Sequence, residues 1–457
     1  MRVLFIVPYV PNLIRVRPYN LIRHLAARGH EVTVLTLWST ERERAEAEAL
    51  KQHCHRVVAL PLPRWRPLWN CLRTLPTSTP LQAMYCWQPA LARRLDFEIR
   101  NSKFEIAHVE HLRGARYGLA ASNLRPVTCD LRPAIVWDSV DCISLLFEQA
   151  LQMGPSLGSR LKAWLDLERT RRYEGWLVTQ FDRVLVTSPV DGKALAQLYQ
   201  VTWGHGDTET RRHGDTETAR LSPALPFSLS PHHPISPSSP LPITVLPNGV
   251  DLDYFKPRDV PRDSATLVLT GKMSYHANVA AALYLVHKVM PLIWAQRPDA
   301  KLCIVGKDPP REIIELKAQS SKLQSEIRNP KSEIVVTGTV PDVRPYLAQA
   351  TVAVCPVLYS AGIQNKVLEA MAMGLPVVAT PQSCSALGVT NGENILIAEE
   401  SEDFARQVLK LSDDEGLRER MGRNGRRYVE EHHDWRDVAQ RLEEIYQDVM
   451  ERRKWTA

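Results

Sequence analysis

The chain has 457 residues, too long for one ordinary core, which predicts about two to three domains. With 44% hydrophobic and 24% charged residues it is not collagen-like, coiled-coil or wholly disordered. Its net charge of +6 is uneven: residues 1–200 hold 27 Lys and Arg against 18 Asp and Glu, and the remainder 30 against 33.

The basic half points to an anionic partner, either a phosphate-bearing ligand or an acidic membrane surface; a solvated charged surface is the other reading. No dense basic run interleaves with aromatics, so nucleic acid is not an expected partner. Apolar runs such as Val3 to Val7 fall well short of the ~18 residues a membrane span needs. Met1-Arg2, five apolar residues and Pro8 make too short an apolar core for a secretory signal, so a cytoplasmic location is expected. The eight cysteines are scattered with no C-x-x-C pair, which argues against a zinc site or a disulfide framework.

Val3 to Val7 predicts a strand buried on both faces, ended by Pro8 and Pro11. Pro18 is placed to open a helix carrying Leu21, Ile22, Leu25 and Ala26; Gly29 caps it, and Glu31 to Leu37 is the next strand. This β-α-β unit predicts a right-handed crossover and a parallel sheet. Residues 201–242 break the pattern with a near-tandem duplication, His205 to Thr210 and His213 to Thr218, and a Pro/Ser-rich tail. Such a stretch buries too little apolar surface to offset its ordering entropy and reads as a disordered insertion. A smaller insertion is expected over 320–332.

Strand and helix signals resume near 266: strands at Thr266 to Gly271, Ala300 to Gly306, Ile334 to Gly338, Val352 to Pro356 and Pro376 to Thr380, with a long helix from Asn278 to Gln296. The predicted class is α/β, with a doubly wound domain over 1–200, a second over 243–434, and a final helix over 435–457. That helix either packs on its own domain or crosses back to the first.

In open α/β sheets, ligands bind beyond the carboxyl ends of the strands, and two such domains suggest an interdomain cleft. Three stretches meet that condition. Between Ser360 and Thr380, a glycine-bearing loop leads into a helix near Asn365, whose free N–H groups suit a phosphate. Lys366 has the wrong sign for that helix end, which a bound diphosphate would explain; Glu369 is spaced to accept ribose hydroxyls. Gly271-Lys272 directly follows a strand, where glycine admits close approach and the lysine adds charge. Asn12, Arg15 and Arg17 lie in the first β-α loop, where guanidinium forks match acceptor or phosphate oxygens.

These residues carry a resemblance. Val245-Leu-Pro-Asn-Gly-Val-Asp-Leu-Asp-Tyr-Phe255, Leu368 to Thr380 and Arg28 to Thr36 resemble, in order and spacing, signatures of the family 4 glycosyltransferases. Gly362-Ile-Gln-Asn-Lys-Val-Leu-Glu369 is similar to a subgroup associated with exopolysaccharide and cell-envelope sugar transfer. The resemblance implies the GT-B fold of two Rossmann-like domains, retaining transfer, and a nucleotide-diphosphate sugar as donor. It implies a saccharide or lipid-linked acceptor, and no cofactor or dissolved metal. By the same resemblance Glu369 holds the ribose, Lys272 contacts the diphosphate and Lys366 assists it. Two departures are visible. Ala361 stands where many members carry a sugar-binding glutamate, which leaves Gly362, Ile363 and Gln364 to meet the donor sugar. Ala277 stands near a usual second lysine. A histidine that often approaches the donor sugar matches His108, Glu110 or His111, with the register open; Lys272, Lys366, Glu110 and His111 together are taken as the catalytic candidates.

The alternatives are a nucleotide-sugar epimerase or hydrolase on this fold, and a non-catalytic nucleotide-sugar binder. Arg64 and Arg66 flank Trp65 in a Pro-rich loop suited to peripheral association with an anionic membrane, at the inner face of the cytoplasmic membrane.

Overall fold

A computed structural model describes the chain apart from residues 128–131, 154–156, 204–240, 317–332, 360–361 and 457. Most of the 201–242 stretch, the 320–332 insertion and Ala361 therefore lie outside the described residues. The chain divides into two compact units. Unit 1 comprises Met1–Glu148, Lys162–Leu246 and the last helix from Ala439 on; unit 2 comprises Gln149–Leu161 and Pro247–Val438.

Unit 1 is built on a seven-stranded parallel sheet of β1 (Arg2–Val7), β2 (Glu31–Trp38), β3 (Arg56–Pro61), β4 (Ile106–Glu110), β5 (Ala134–Val140), β6 (Arg183–Val186) and β7 (Ile243–Val245). Their order is β3-β2-β1-β4-β5-β6-β7. β1 forms because its five apolar residues, Val3 to Val7, are fully buried on both faces of the sheet. The sequence ran on to β2 through the helix Val16–Ala27, with Pro18 in its first turn.

Two expectations need correction and one open alternative is decided. The second domain does not begin at 243: Ile243–Val245 pairs in parallel with β6, so the 201–242 stretch interrupts unit 1 ahead of its last strand. Of the two alternatives for the final helix, crossing back holds: Trp435–Thr456 starts in unit 2 and belongs to unit 1 from Ala439. There Tyr446 Oη lies 2.8 Å from His108 Nδ1, and Arg28 pairs with Glu443 at 2.6 Å. The supposed loop around Trp65 is the helix Trp65–Thr74, which Pro67 enters without losing a bond because first-turn N–H groups have no intrahelical partner.

Unit 2 has a six-stranded parallel sheet of β8 (Thr266–Thr270), β9 (Lys301–Val305), β10 (Glu333–Gly338), β11 (Val352–Cys355), β12 (Val377–Ala379) and β13 (Leu396–Ile397). The order is β10-β9-β8-β11-β12-β13. Alternate strand residues feed two cores. Leu267, Leu269, Leu302 and Ile304 pack with Leu285, Val289, Ile293 and Trp294 on one face. Val268, Cys303 and Val305 pack with Val367, Leu368 and Met371 on the other. This period-2 division is what a sheet covered on both faces requires.

The run His276–Gln296 is, contrary to the expectation from short apolar runs, long and apolar enough by composition to cross a membrane. Polar residues within it (Asn278, His287, Lys288) hide it in a search for continuous apolar stretches. It is 67% buried and lies in the core of unit 2. A π turn over Leu285–Val289 precedes Pro291, whose ring removes one N–H from the helix.

Candidate functional site

In each sheet the strand order reverses direction once, between β1 and β4 in unit 1 and between β8 and β11 in unit 2. Successive crossovers there pass to opposite faces and leave a crevice at the strand carboxyl ends. Both crevices hold clusters of polar side chains.

In unit 2, Gly271 follows β8 with φ +150, a conformation that side chains disfavour. A Cβ there would lie 2.8 Å from Asn278 Nδ2 and 3.3 Å from Lys366 Cε. The backbone of Gly271 thus forms the floor against which these two side chains meet. Gly306, at the end of β9, is equally tight: a Cβ on it would stand 1.7 Å from the Gly271 carbonyl oxygen. Lys366 Nζ donates to Asn278 Oδ1 at 2.7 Å and to Gln364 Oε1 at 3.1 Å. Asn278 Nδ2 in turn donates to the Lys272 carbonyl at 2.9 Å. The half-buried ammonium is thereby fixed by two neutral oxygens, with no carboxylate paired to it among the described residues.

Lys366 lies in the first turn of the helix Asn365–Ala372, which has no side-chain N-cap bond. Its N-terminal N–H groups add partial positive charge to the ammonium. Asn365 Oδ1 accepts from Asn248 Nδ2 at 3.3 Å. Gly362 has φ +70, and Ile363 is buried. Glu369 is one turn further along; burial, offset in part by Lys366, pushes its carboxyl up to about 7. Lys272 is exposed and forms no ion pair among the described residues. The structure thus brings Gly271, Lys366, Gln364 and Asn365 together, with Lys272 and Glu369 adjacent in the chain.

Sequence reasoning missed Asn278, which holds Lys366, and the stacked His276–Tyr359 pair, whose Nδ1 and Oη are 2.7 Å apart. A polar residue in the first turn after the Gly271-Lys272 loop was the available signal for Asn278.

In unit 1 the corresponding crevice holds a buried charge cluster. Arg17 Nε and Nη2 donate to Asp138 Oδ2 and Oδ1 at 2.7 and 3.2 Å, and Nη1 donates to the Leu246 carbonyl at 3.0 Å. His108 Nε2 lies 3.4 Å from Asp138 Oδ2 and 3.8 Å from Glu110 Oε2. Burial opposes the charge on Asp138, yet Arg17 and His108 outweigh it and hold the carboxyl below its ordinary range. Burial would likewise lower His108, but Asp138 and Glu110 raise it. Glu110 is raised by burial and by the Asp138 charge. His111 follows β4 with φ 64; burial, then Arg113, lower its imidazole to about 3, so it is neutral near pH 7.

The three residues expected to bind acceptor or phosphate are not brought together. Asn12 Oδ1 accepts from the Ile14 and Arg15 N–H groups as a turn former, and its amide donates to Glu46. Arg15 pairs with Glu43 at 3.2 Å and lies over the Tyr9 ring. Arg17 is only 3% exposed and is committed to Asp138. Its expected phosphate role is corrected accordingly, since a buried guanidinium with its carboxylate already paired serves the fold.

His108, Glu110 and Asp138 bring ligand atoms within 4.8 Å of one another, the spacing of a metal site. The guanidinium already engages both Asp138 oxygens, so the donor set fits an internal ion-pair network better than a bound cation.

The chain resembles known proteins in both halves. A family model described as "Glycosyl transferase 4-like domain" matches residues 14–202, and one described as "Glycosyl transferases group 1" matches residues 264–414. The chain is 29% identical over 219 residues to a GDP-mannose-dependent monoacylated alpha-(1-6)-phosphatidylinositol monomannoside mannosyltransferase of Corynebacterium glutamicum, covering 44% of this chain and 55% of that one. It is 38% identical over 88 residues to the capsular polysaccharide biosynthesis glycosyltransferase CapM of Staphylococcus aureus, covering 19% and 23%. The chain thus spans about half the length, or less, of the curated relatives it matches. Sucrose-phosphate synthase from Thermosynechococcus elongatus superposes with a TM-score of 0.63 at 17% identity, covering 98% and 99% of the two chains, a likeness of fold.

Proposed function

The chain belongs to the glycosyltransferases of the GT-B fold, and from that premise we propose that it moves a sugar from a nucleoside-diphosphate sugar to a saccharide or lipid-linked acceptor, with retention of anomeric configuration, in envelope or exopolysaccharide synthesis. The observation that carries this reading is the Lys366 ammonium, held by Asn278 and Gln364 against the Gly271 backbone at the strand-order reversal of unit 2. The similarity to a mannosyltransferase and to a capsule glycosyltransferase supports the substrate class.

In this reading the bond between the anomeric carbon and the diphosphate oxygen breaks as the acceptor oxygen bonds to that carbon from the same face. The departing diphosphate gains negative charge, which Lys366, Lys272 and the N–H groups at the start of the helix Asn365–Ala372 stabilise. A diphosphate oxygen takes the acceptor proton, so no separate nucleophile is required. Glu369 accepts from the ribose hydroxyls, and the backbone of Gly362 to Gln364 meets the sugar. No metal or cofactor is needed, because protein cations and helix N–H groups neutralise the leaving group. The reaction takes place in the cytoplasm, at the inner membrane face when the acceptor is lipid-linked.

The test is incubation of the purified chain with labelled uridine, guanosine and adenosine diphosphate sugars and with extracted saccharide and lipid-linked acceptors. Label should enter an acceptor from a preferred donor, with the anomeric configuration retained by NMR. Nucleotide release at full rate without acceptor would point instead to a hydrolase. Binding with no transfer across the panel would point to a non-catalytic binder.

A further inference from the structure

The helix Trp65–Thr74 of unit 1 is inside out. Its inward face, Pro67 apart, is polar: Asn70 is 5% exposed, with its amide donating to the carbonyls of Met84 and Trp87, and Thr74 is 3% exposed, with its hydroxyl donating to the Asn70 carbonyl. Its outward face is apolar: Trp65, Leu68, Trp69 and Leu72, at helical spacing i, i+3, i+4 and i+7, are 58%, 69%, 48% and 60% exposed. A helix at a solvated surface does the reverse, so this face is shaped for an apolar phase.

A neighbouring helix, Leu157–Leu177, is tied to the same region, with Arg169 donating to the Leu75 carbonyl at 2.8 Å and Asp166 accepting from the Leu81 N–H. Close to those ties, Trp164 is 66% and Leu165 46% exposed.

Charge selects the occupant. Residues 56–95 carry six arginines and neither aspartate nor glutamate until Asp96. Arg64 and Arg73 are exposed at the two ends of the helix, and Arg73 stands over the Trp69 ring. A second copy of the chain, seated symmetrically, would set these cations against their own equivalents with no acid from this segment to pair them. An anionic surface with an apolar interior satisfies both features. We propose that the outward face of Trp65–Thr74 docks on an anionic lipid bilayer, with the tryptophans and leucines entering the acyl boundary and the arginines meeting the lipid phosphates. This inference does not depend on the sugar-transfer reading.

Flotation of the full-length protein with vesicles tests it, comparing phosphatidylcholine alone with phosphatidylcholine mixed with phosphatidylglycerol. The protein should float with the mixed vesicles and lose that association as salt is raised. Leu68→Ser with Leu72→Ser should cut the vesicle-bound fraction by more than about tenfold, since each burial scales with apolar area. Arg64→Glu with Arg73→Glu should remove the preference for anionic vesicles, and it leaves the helix packing untouched if the leucine pair proves unstable. No flotation with the mixed vesicles, or flotation unchanged in both variants, overturns the proposal. So does a wild-type dimer in sedimentation that the leucine pair dissociates, because the occupant would then be a second copy.

Discussion

Replacing Lys366 with methionine separates catalysis from folding. The side chain is half-buried, its stem lies beside Gly271, and methionine keeps most of that packing. The lysine sits in the first turn of the helix Asn365–Ala372, where a positive charge opposes the helix dipole. Removing it relieves that opposition by a few tenths of a kcal/mol, up to ~1, but takes the donor from Asn278 Oδ1 and Gln364 Oε1 at a cost of about 1–3 kcal/mol, so the fold should lose no more than about 1–3 kcal/mol. A donor diphosphate would lose a charge-assisted hydrogen bond of about 1.5–3 kcal/mol, which is roughly 10- to 150-fold in kcat/KM. Initial rates with the preferred donor, alongside thermal melts, read both quantities. Unchanged kcat/KM, measured at a temperature where the melts show both proteins folded, refutes the reasoning.

Gly271→Ala places a methyl 2.8 Å from Asn278 Nδ2 at φ +150, so it should disturb the Lys366 clamp and weaken donor binding by about tenfold or more, read by calorimetry. Arg17→Met leaves Asp138 charged and buried without its guanidinium; urea unfolding near neutral pH should show a loss of about 3–5 kcal/mol. The sign with pH follows. With Arg17 present, the lowered Asp138 carboxyl stabilises the fold above the ordinary carboxylate range, and that stability fades as pH falls through its depressed value. Without Arg17 only His108 opposes the effect of burial, so Asp138 takes up its proton at higher pH than in the parent and the deficit of the variant should shrink towards acid. Glu369 titrates near 7 in the free protein, so affinity for a nucleoside-diphosphate sugar, whose phosphates do not titrate there, should fall as pH drops below about 7. Glu369→Gln should flatten that profile; an identical profile in the variant rejects the ribose role.

β1, β2 and five strands of the second sheet were legible because buried parallel strands are nearly continuous apolar runs, as Val3 to Val7 and Val352 to Cys355 are, whereas β3 to β6 and the two-residue β13 were not assigned from the sequence. β7 was not, since its three residues follow a long insertion and only pairing with β6 shows which sheet they join. Lys366 and Gly271 were picked out by local grammar, a lysine at a helix start and a glycine after a strand, and the structure sets the two side by side. Arg17 was misread because its partner Asp138 lies 121 residues away, and no local pattern separates a buried guanidinium from a ligand-binding one. The helix Trp65–Thr74 defeated pattern reading for a different reason: periodicity reveals an apolar stripe but not which way it faces, and here Asn70 and Thr74 take the inward positions.

The most direct test of the central claim is a crystal structure of the protein with a bound nucleoside-diphosphate sugar. The account predicts diphosphate oxygens within hydrogen-bond distance of Lys366 Nζ and of the N–H groups that open the helix Asn365–Ala372, with the ribose at Glu369. A nucleotide bound elsewhere, with Lys366 still turned to Asn278 and Gln364, would contradict it.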